Sequence, residues 1–260
     1  MAGAILELRD VSRHFGGLKA VNGVSLSIEE GTITSLVGPN GAGKTTVFNL
    51  ITGILPLSSG DIRFDGRSIA GLPPYAIARR GLGRTFQDPR IFYEMSVIDH
   101  VVAGFSLRGE NPLAAILRGP RMRHETRAAR DSALRMLDEV GLRRRAHEKA
   151  QDLSFGEQRF LSILRTLAGD PRIVLLDEPT VGLDRDSVHD LTRLVQRMAR
   201  EQKKTVLLVE HNLDVIFDVS DQVHLLVGGS IALSGEPSEI KRHPRMIEAY
   251  LGARYAALRP

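Results

Sequence analysis

One stretch restricts the fold of this chain more than any other. Gly38-Pro39-Asn40-Gly41-Ala42-Gly43-Lys44-Thr45 has the spacing G-x-x-x-x-G-K-T, with Thr46 following. Ile33-Thr34-Ser35-Leu36-Val37 before it reads as a short β-branched strand, and Thr46-Val47-Phe48-Asn49-Leu50-Ile51 after it reads as the first turns of a helix. Glycines in that setting let backbone N–H groups converge on α- and β-phosphates without Cβ clashes. The helix N-terminus adds unsatisfied donors and the positive end of its dipole. Lys44 would reach the β- and γ-phosphates, and the Thr45 hydroxyl would ligate Mg²⁺. The spacing differs from G-x-G-x-x-G, which argues against NAD or FAD.

A loop of this kind works with an acidic pair at the end of a buried strand, and Ile173-Val174-Leu175-Leu176-Asp177-Glu178 supplies one. Asp177 would hold Mg²⁺ through its hydration shell, and Glu178 would take the proton of an attacking water. The gap between Lys44 and Asp177 is long enough to contain an inserted helical subdomain.

The rest of the chain fits an α/β wind with additions. Ala4-Ile5-Leu6-Glu7-Leu8, Val24-Ser25-Leu26-Ser27-Ile28 and Asp61-Ile62-Arg63-Phe64 alternate like antiparallel strands flanking the loop unit. From about residue 90 to 165 the character is helical. Ser96-x-x-Asp99 is a capping box, and Ala129, Ala133, Met136, Leu137 and Val140 recur at helical spacing. Strands return at Ile173-Val174-Leu175-Leu176, Thr205-Val206-Leu207-Leu208-Val209 and Val223-His224-Leu225-Leu226-Val227, separated by helical stretches at 186–202 and 212–219. Their continuous apolar character predicts burial on both faces of a parallel sheet.

Composition narrows the setting. At 260 residues the chain can bury a sizeable core, and 35 Lys+Arg against 31 Asp+Glu is a mild basic excess that gives little reason to expect nucleic acid. With no cysteines, disulfides and thiolate metal sites are excluded. No apolar run is long enough to span a bilayer, and Met1-Ala2-Gly3-Ala4 lacks the features of a signal peptide, so a soluble chain is expected whose membrane role comes through a partner.

Between the two phosphate elements stands Leu153-Ser154-Phe155-Gly156-Glu157-Gln158-Arg159. Here the chain resembles the ATP-binding subunits of ABC transporters, whose signature is Leu-Ser-Gly-Gly-Gln. The resemblance runs through nearly the whole chain and implies a P-loop NTPase core with an antiparallel β subdomain and an inserted helical subdomain, residues 1–260 forming one ATP-binding domain. It implies that Phe15 stacks on adenine and that Gln87, in Arg84-Thr85-Phe86-Gln87, links Mg²⁺ and water to the membrane partner. It makes Gly182-Leu183-Asp184 the D-loop and His211 the switch histidine on the γ-phosphate. Two such subunits, identical or paralogous, would sandwich two ATPs head to tail. Ser154 and Gly156 of each would complete the other's site, driving transmembrane permease subunits from the cytoplasmic face of the inner membrane.

Plainer readings stand beside these. Ser154-x-x-Glu157 is also a capping box, Phe15 could serve turn packing, and Arg118, Arg121, Arg123, Arg127 and Arg130 fit a solvated helix face or a contact with lipid headgroups. Phe155 and Glu157 depart from the signature. A carboxylate at 157 is unfavourable beside a triphosphate unless its capping role points it away.

Gly81-Leu82-Gly83-Arg84-Thr85-Phe86-Gln87, Glu210-His211-Asn212-Leu213-Asp214-Val215 and the tail through Tyr250-Leu251-Gly252 resemble the ATPases of importers of branched-chain and hydrophobic amino acids, which work with a solute-binding protein. The lipopolysaccharide-export ATPase shares the Tyr-Leu-Gly tail but differs before the glutamine. Soluble ABC ATPases acting on DNA or ribosomes need long coiled coils or a second cassette, and this chain has one Lys44-type loop and no sustained heptads.

Overall fold

The computed structural model describes residues 3–105 and 119–256, with the side chains of 119–126 and 251–256 left aside. The chain opens on β1 (Ala4–Phe15) and β2 (Leu18–Glu29), then β3 (Ile33–Val37) and helix α1 (Lys44–Ile51). Next come β4 (Ser59–Phe64), β5 (Arg67–Ser68), α2 (Pro74–Arg79) and β6 (Leu82–Arg84). Three helices follow, α3 (Val97–Phe105), α4 (Gly119–Glu139) and α5 (Phe155–Ala168). The second half alternates as β7 (Ile173–Asp177), α6 (Arg185–Arg200), β8 (Thr205–Val209), α7 (Leu213–Val219) and β9 (Gln222–Val227). It closes with β10 (Ser230–Gly235), α8 (Pro237–Arg242) and α9 (Pro244–Ala256).

These strands build two sheets. One has the order β2-β1-β4-β5 and is antiparallel; the other has the order β10-β9-β3-β8-β7-β6 and is parallel except for β9–β10. Every residue of β3, β7 and β8 is buried, the polar Thr34, Ser35, Asp177 and Thr205 included, as strands covered on both faces require. Alternation divides them between two cores. Ile173, Leu175, Leu207 and Val209 face α1 and the antiparallel sheet, whereas Val174, Leu176, Val206 and Leu208 face α6 and the α3–α5 group. The active end is therefore the carboxyl edge of the parallel sheet, where β3 and β7 release their loops side by side around β8.

The expected strands and helices stand where the alternation and periodicity put them, with differences of extent. β1 and β2 run well past residues 4–8 and 24–28, because register shifts at Leu8/Val11 and Val11/Arg13 break the period while the pairing continues. Gly81-Leu82-Gly83-Arg84 contributes an edge strand against β7. Ser96 caps α3 as expected, its Oγ accepting the Asp99 N–H at 3.2 Å. Ala133 and Leu137 are buried on α4, while Arg127 and Arg130 are exposed and Arg130 pairs with Asp99 at 2.7 Å. Arg118 and the side chains of Arg121 and Arg123 lie outside the described residues.

Candidate active site

The glycine loop bridges β3 and α1, and its shape is set by backbone crowding. A Cβ on Gly38 would overlap the Leu226 carbonyl oxygen, and one on Gly43 would overlap that of Ala20. Gly43 forms the N-cap of α1 at φ 106°, a left-handed conformation suited to glycine, and no side chain caps the helix. The first-turn N–H groups thus face a cleft of about 720 Å³, lined by Phe15, Asn40, Gly41, Ala42, Gly43, Lys44, Thr45, Thr46, Glu178 and His211 among others. An uncapped helix end with a lysine beside it fits a polyphosphate.

Lys44 is buried, and its Nζ donates to the Gly38 and Pro39 carbonyls at 2.7 and 3.1 Å. Burial lowers its pKa, opposed by the carboxylates of Glu178 and Asp177. Gly38 is held from its other side too. Its N–H donates at 3.1 Å to the hydroxyl of Tyr250, reaching in from α9.

Glu178 stands at the centre of the acidic side. Its Oε1 lies 2.7 Å from His211 Nε2, and its Oε2 accepts from Gln87 Nε2 at 2.8 Å. Its φ of 48° is left-handed, a conformation a residue with a Cβ keeps only where its surroundings hold it. They do: the Glu178 N–H donates to the Val209 carbonyl at 2.8 Å, and both carboxylate oxygens are engaged. Asp177 is buried at the end of β7, its Oδ2 accepting from Arg84 NH2 at 2.9 Å. Burial pushes the Asp177 carboxyl up, and the Arg84 guanidinium pulls it back. Thr45, Gln87 and Asp177, the expected Mg²⁺ residues, each offer an oxygen donor of the kind that ion takes.

Phe15 shares the cleft and is 43% exposed. The Arg13 guanidinium covers its ring at 4.6 Å from the centroid and is itself anchored to the Pro56 carbonyl at 3.1 Å.

Ser154, Gly156 and Asp184 do not line this cleft. Ser154 caps α5, and Asp184 caps α6 through the Ser187 N–H at 2.8 Å. The two helix starts adjoin: a Cβ on Gly156 would touch Leu183 and Ser187, and the Phe155 ring lies against Gly182. The sequence thus divides into a cleft set and a second, exposed cluster.

Four residues were missed as parts of the site. In the sequence Arg84 stands out only as part of the stretches leading to Gln87, and Tyr250 only as part of a tail motif. Glu210, fully buried, accepts the N–H groups of Thr180, His211 and Asn212 at 2.6, 3.0 and 3.4 Å and so shapes the turns after β7 and β8. Arg159, also buried, donates to the Phe86 carbonyl at 2.9 Å and ties α5 to the residue before Gln87. A charged residue inside or directly after an apolar run is the signal that could have marked Glu210.

Comparison with known proteins identifies the family. The family model described as ABC transporter matches residues 21–181. The chain is 42% identical over 253 residues to the high-affinity branched-chain amino acid transport ATP-binding protein BraF of Pseudomonas aeruginosa, covering 97% of this chain and 99% of that one. It is 37% identical to the LivG protein of the same description from Escherichia coli K12, again over 97% and 99%. Among solved structures, the ADP conformation of MJ1267, an ATP-binding cassette of an ABC transporter, superposes with a TM-score of 0.82 at 30% identity, over 96% of this chain and 99% of that one. A dimeric post-hydrolysis cassette, MJ0796 bound to ADP and phosphate, gives 0.76 at 25% identity, over 89% and 98%. In sequence, fold and the elements that build its cleft, this chain belongs to the ABC transporter family.

Proposed function

We propose that this chain is the ATP-hydrolysing subunit of a membrane importer for branched-chain or other hydrophobic amino acids, acting as one half of a head-to-tail pair. The observation that carries the reading is the division of the motif residues. Lys44, Glu178 and His211 line one cleft, with Gln87 bonded to Glu178, while Ser154, Gly156 and Asp184 cluster away from it. A single chain therefore carries one incomplete site and the pieces that complete another. The dimeric relative supports such pairing, and the names of the sequence relatives support the amino-acid substrate.

In this reading Phe15 stacks on adenine, and the N–H groups from Gly41 to Thr46 hold the phosphates together with Lys44. Thr45, Gln87 and Asp177 would hold Mg²⁺, Asp177 through the ion's hydration shell, and the ion would supply neutralisation of charge on the phosphate oxygens. Glu178 accepts the proton of the attacking water as the water oxygen bonds to the γ-phosphorus and ADP leaves. Glu178 is first engaged by both Gln87 and His211, so the attacking water must take one of its remaining acceptor sites or replace one of those bonds. Closure against the partner's Ser154 and Gly156 would position that one water and exclude bulk solvent.

Phe86 and Arg90, close to Gln87 on either side, line a cavity of about 800 Å³ together with Phe92 and Arg165. A permease segment seated there would act on the Gln87–Glu178 bond through the neighbouring Phe86. Among the described residues no helix is long and apolar enough to cross a membrane, so attachment to the cytoplasmic face would run through permease subunits, with the solute-binding protein acting on their far side. The helices described between about residues 90 and 165 belong to an inserted helical subdomain of a single ATP-binding domain in this reading.

The test is reconstitution of the chain with its co-purifying permease subunits in vesicles, supplied with solute-binding protein and leucine. ATP-dependent leucine movement that is lost in Glu178→Gln supports the proposal. ATP turnover without movement of any hydrophobic amino acid contradicts the substrate.

A further inference from the structure

The signature of this chain carries a glutamate, Glu157, at a helix end that in the reading above receives the partner's phosphates. An unbalanced carboxylate there would repel them. The structure shows where that charge goes. Glu157 Oε2 accepts the Ser154 N–H at 2.7 Å and an N–H from Arg145 NH1 at 2.6 Å. In return Ser154 Oγ accepts the Glu157 N–H at 3.3 Å. Arg145 comes from the short 3-10 turn Arg143–Arg145 and is held in place by Glu148 at 2.8 Å and by the Asp152 carbonyl at 2.8 Å. Burial pushes the Glu157 carboxyl up, but the bonds from Arg145 and Ser154 outweigh it and hold the group below the usual carboxylate range. The bonds to Glu148 and Glu157 raise Arg145 in turn, so the pair stays charged at neutral pH.

We propose that Arg145 is a positioning residue for the signature helix, pinning Glu157 and offsetting its charge so that Ser154 and the α5 N-terminus can accept an anion. The proposal rests on the head-to-tail reading. Two effects are combined. The guanidinium, shared with Glu148, offsets part of the charge that would repel phosphate, and it holds the Glu157 carboxylate back on the Ser154 N–H. With its Oγ accepting from Glu157 N–H, Ser154 keeps its hydroxyl proton free to donate outward. Released from Arg145, Glu157 could accept that proton itself and remove the donor.

The experiment is a double-mutant cycle in the Glu178→Gln background, which should accumulate the ATP-bound dimer. The ATP concentration for half-maximal dimerisation is measured by analytical ultracentrifugation, together with ATP affinity at concentrations where the chain is monomeric. Arg145→Met should raise the half-dimerisation concentration about tenfold with monomer affinity unchanged, because Arg145 is remote from the chain's own cleft. In chains that also carry Glu157→Gln, the same Arg145→Met change should cost about twofold or less, because no charge is left to compensate. Arg145→Lys should fall between wild type and Arg145→Met.

A purely structural Arg145 would instead impair dimerisation equally in both backgrounds, with matching losses of thermal midpoint, and that result overturns the proposal. No effect of Arg145→Met in the Glu157 background overturns it as well. If the Glu178→Gln parent binds ATP yet never dimerises, the head-to-tail reading fails and takes this assignment with it. The two failures are thus distinguishable.

Discussion

Arg84 and Asp177 form a buried ion pair, NH2 to Oδ2 at 2.9 Å, with side chains only 6% and 5% exposed. Arg84 also donates to Asn49 Oδ1 at 2.8 Å and Thr52 Oγ1 at 3.0 Å, so one guanidinium fastens the edge strand β6 to α1 and to the acidic end of β7. Removing it strands a buried carboxylate. Arg84→Gln should cost about 3–5 kcal/mol in urea unfolding at neutral pH. Burial already raises Asp177, and losing the guanidinium raises it further. Protonation then relieves the stranded carboxylate, so the deficit should shrink as pH falls through the raised pKa. A loss below about 1 kcal/mol would show that the pair is not coupled to the fold.

Tyr250 and Gly38 give a second test. Tyr250→Phe deletes only the oxygen that accepts the Gly38 N–H and leaves a donor in the loop without its partner. The expected destabilisation is about 1–2 kcal/mol, with weaker ATP binding because Gly38 also carries the carbonyl that holds Lys44. Isothermal titration with ATP at a temperature where both chains are folded separates the two effects. Unchanged affinity would confine Tyr250 to packing.

These two residues also show what the sequence withheld. The loop, the acidic strand end and the buried parallel strands were legible because each rests on local spacing: glycines where backbones crowd, apolar runs where both faces are covered. Arg84 and Tyr250 act through contacts spanning 93 and 212 positions, and no local pattern encodes such a contact. β6 was hidden for a related reason. Leu82-Gly83-Arg84 has no strand character of its own and pairs because β7 offers an open edge. The orientation of Glu157 likewise depended on Arg145, whose approach follows from the turn before α5.

Phe15 makes a graded prediction. One face of its ring carries Arg13, leaving the other for a base. Phe15→Ala should weaken ATP and GTP together by about 1–2 kcal/mol, since a ring face reads no base edge. Equal affinities in variant and parent would return Phe15 to turn packing.

His100 predicts a pH dependence. It is fully buried, accepts the Phe92 N–H through Nε2 at 2.8 Å and packs edge-on against that ring. Burial, aided by Arg165 and opposed by Asp99, lowers its pKa from 6.5 to about 4. The folded chain keeps it neutral while the unfolded chain takes up a proton below about pH 6.5, so stability should fall as pH drops from 6.5 towards 4. At 1.36 kcal/mol per pH unit, His100 alone accounts for about 2 kcal/mol lost between pH 7 and pH 5. His224, also lowered to about 4 by burial, adds to the slope. In His100→Gln the amide oxygen can still accept the Phe92 N–H, and the slope should be visibly reduced. An unchanged slope would mean that His100 is not the group being titrated.

The central claim is that this chain holds one nucleotide cleft and donates Ser154 to another. The most direct measurement is the ATP affinity of the isolated Ser154→Arg monomer, taken beside its rate of hydrolysis at dimer-forming concentrations. A division of labour predicts an affinity equal to the parent's, because Ser154 lies outside the cleft of Lys44 and Glu178, with hydrolysis suppressed because the added cation blocks closure. Loss of monomer ATP affinity in a folded variant would place Ser154 in its own subunit's site and contradict the head-to-tail account.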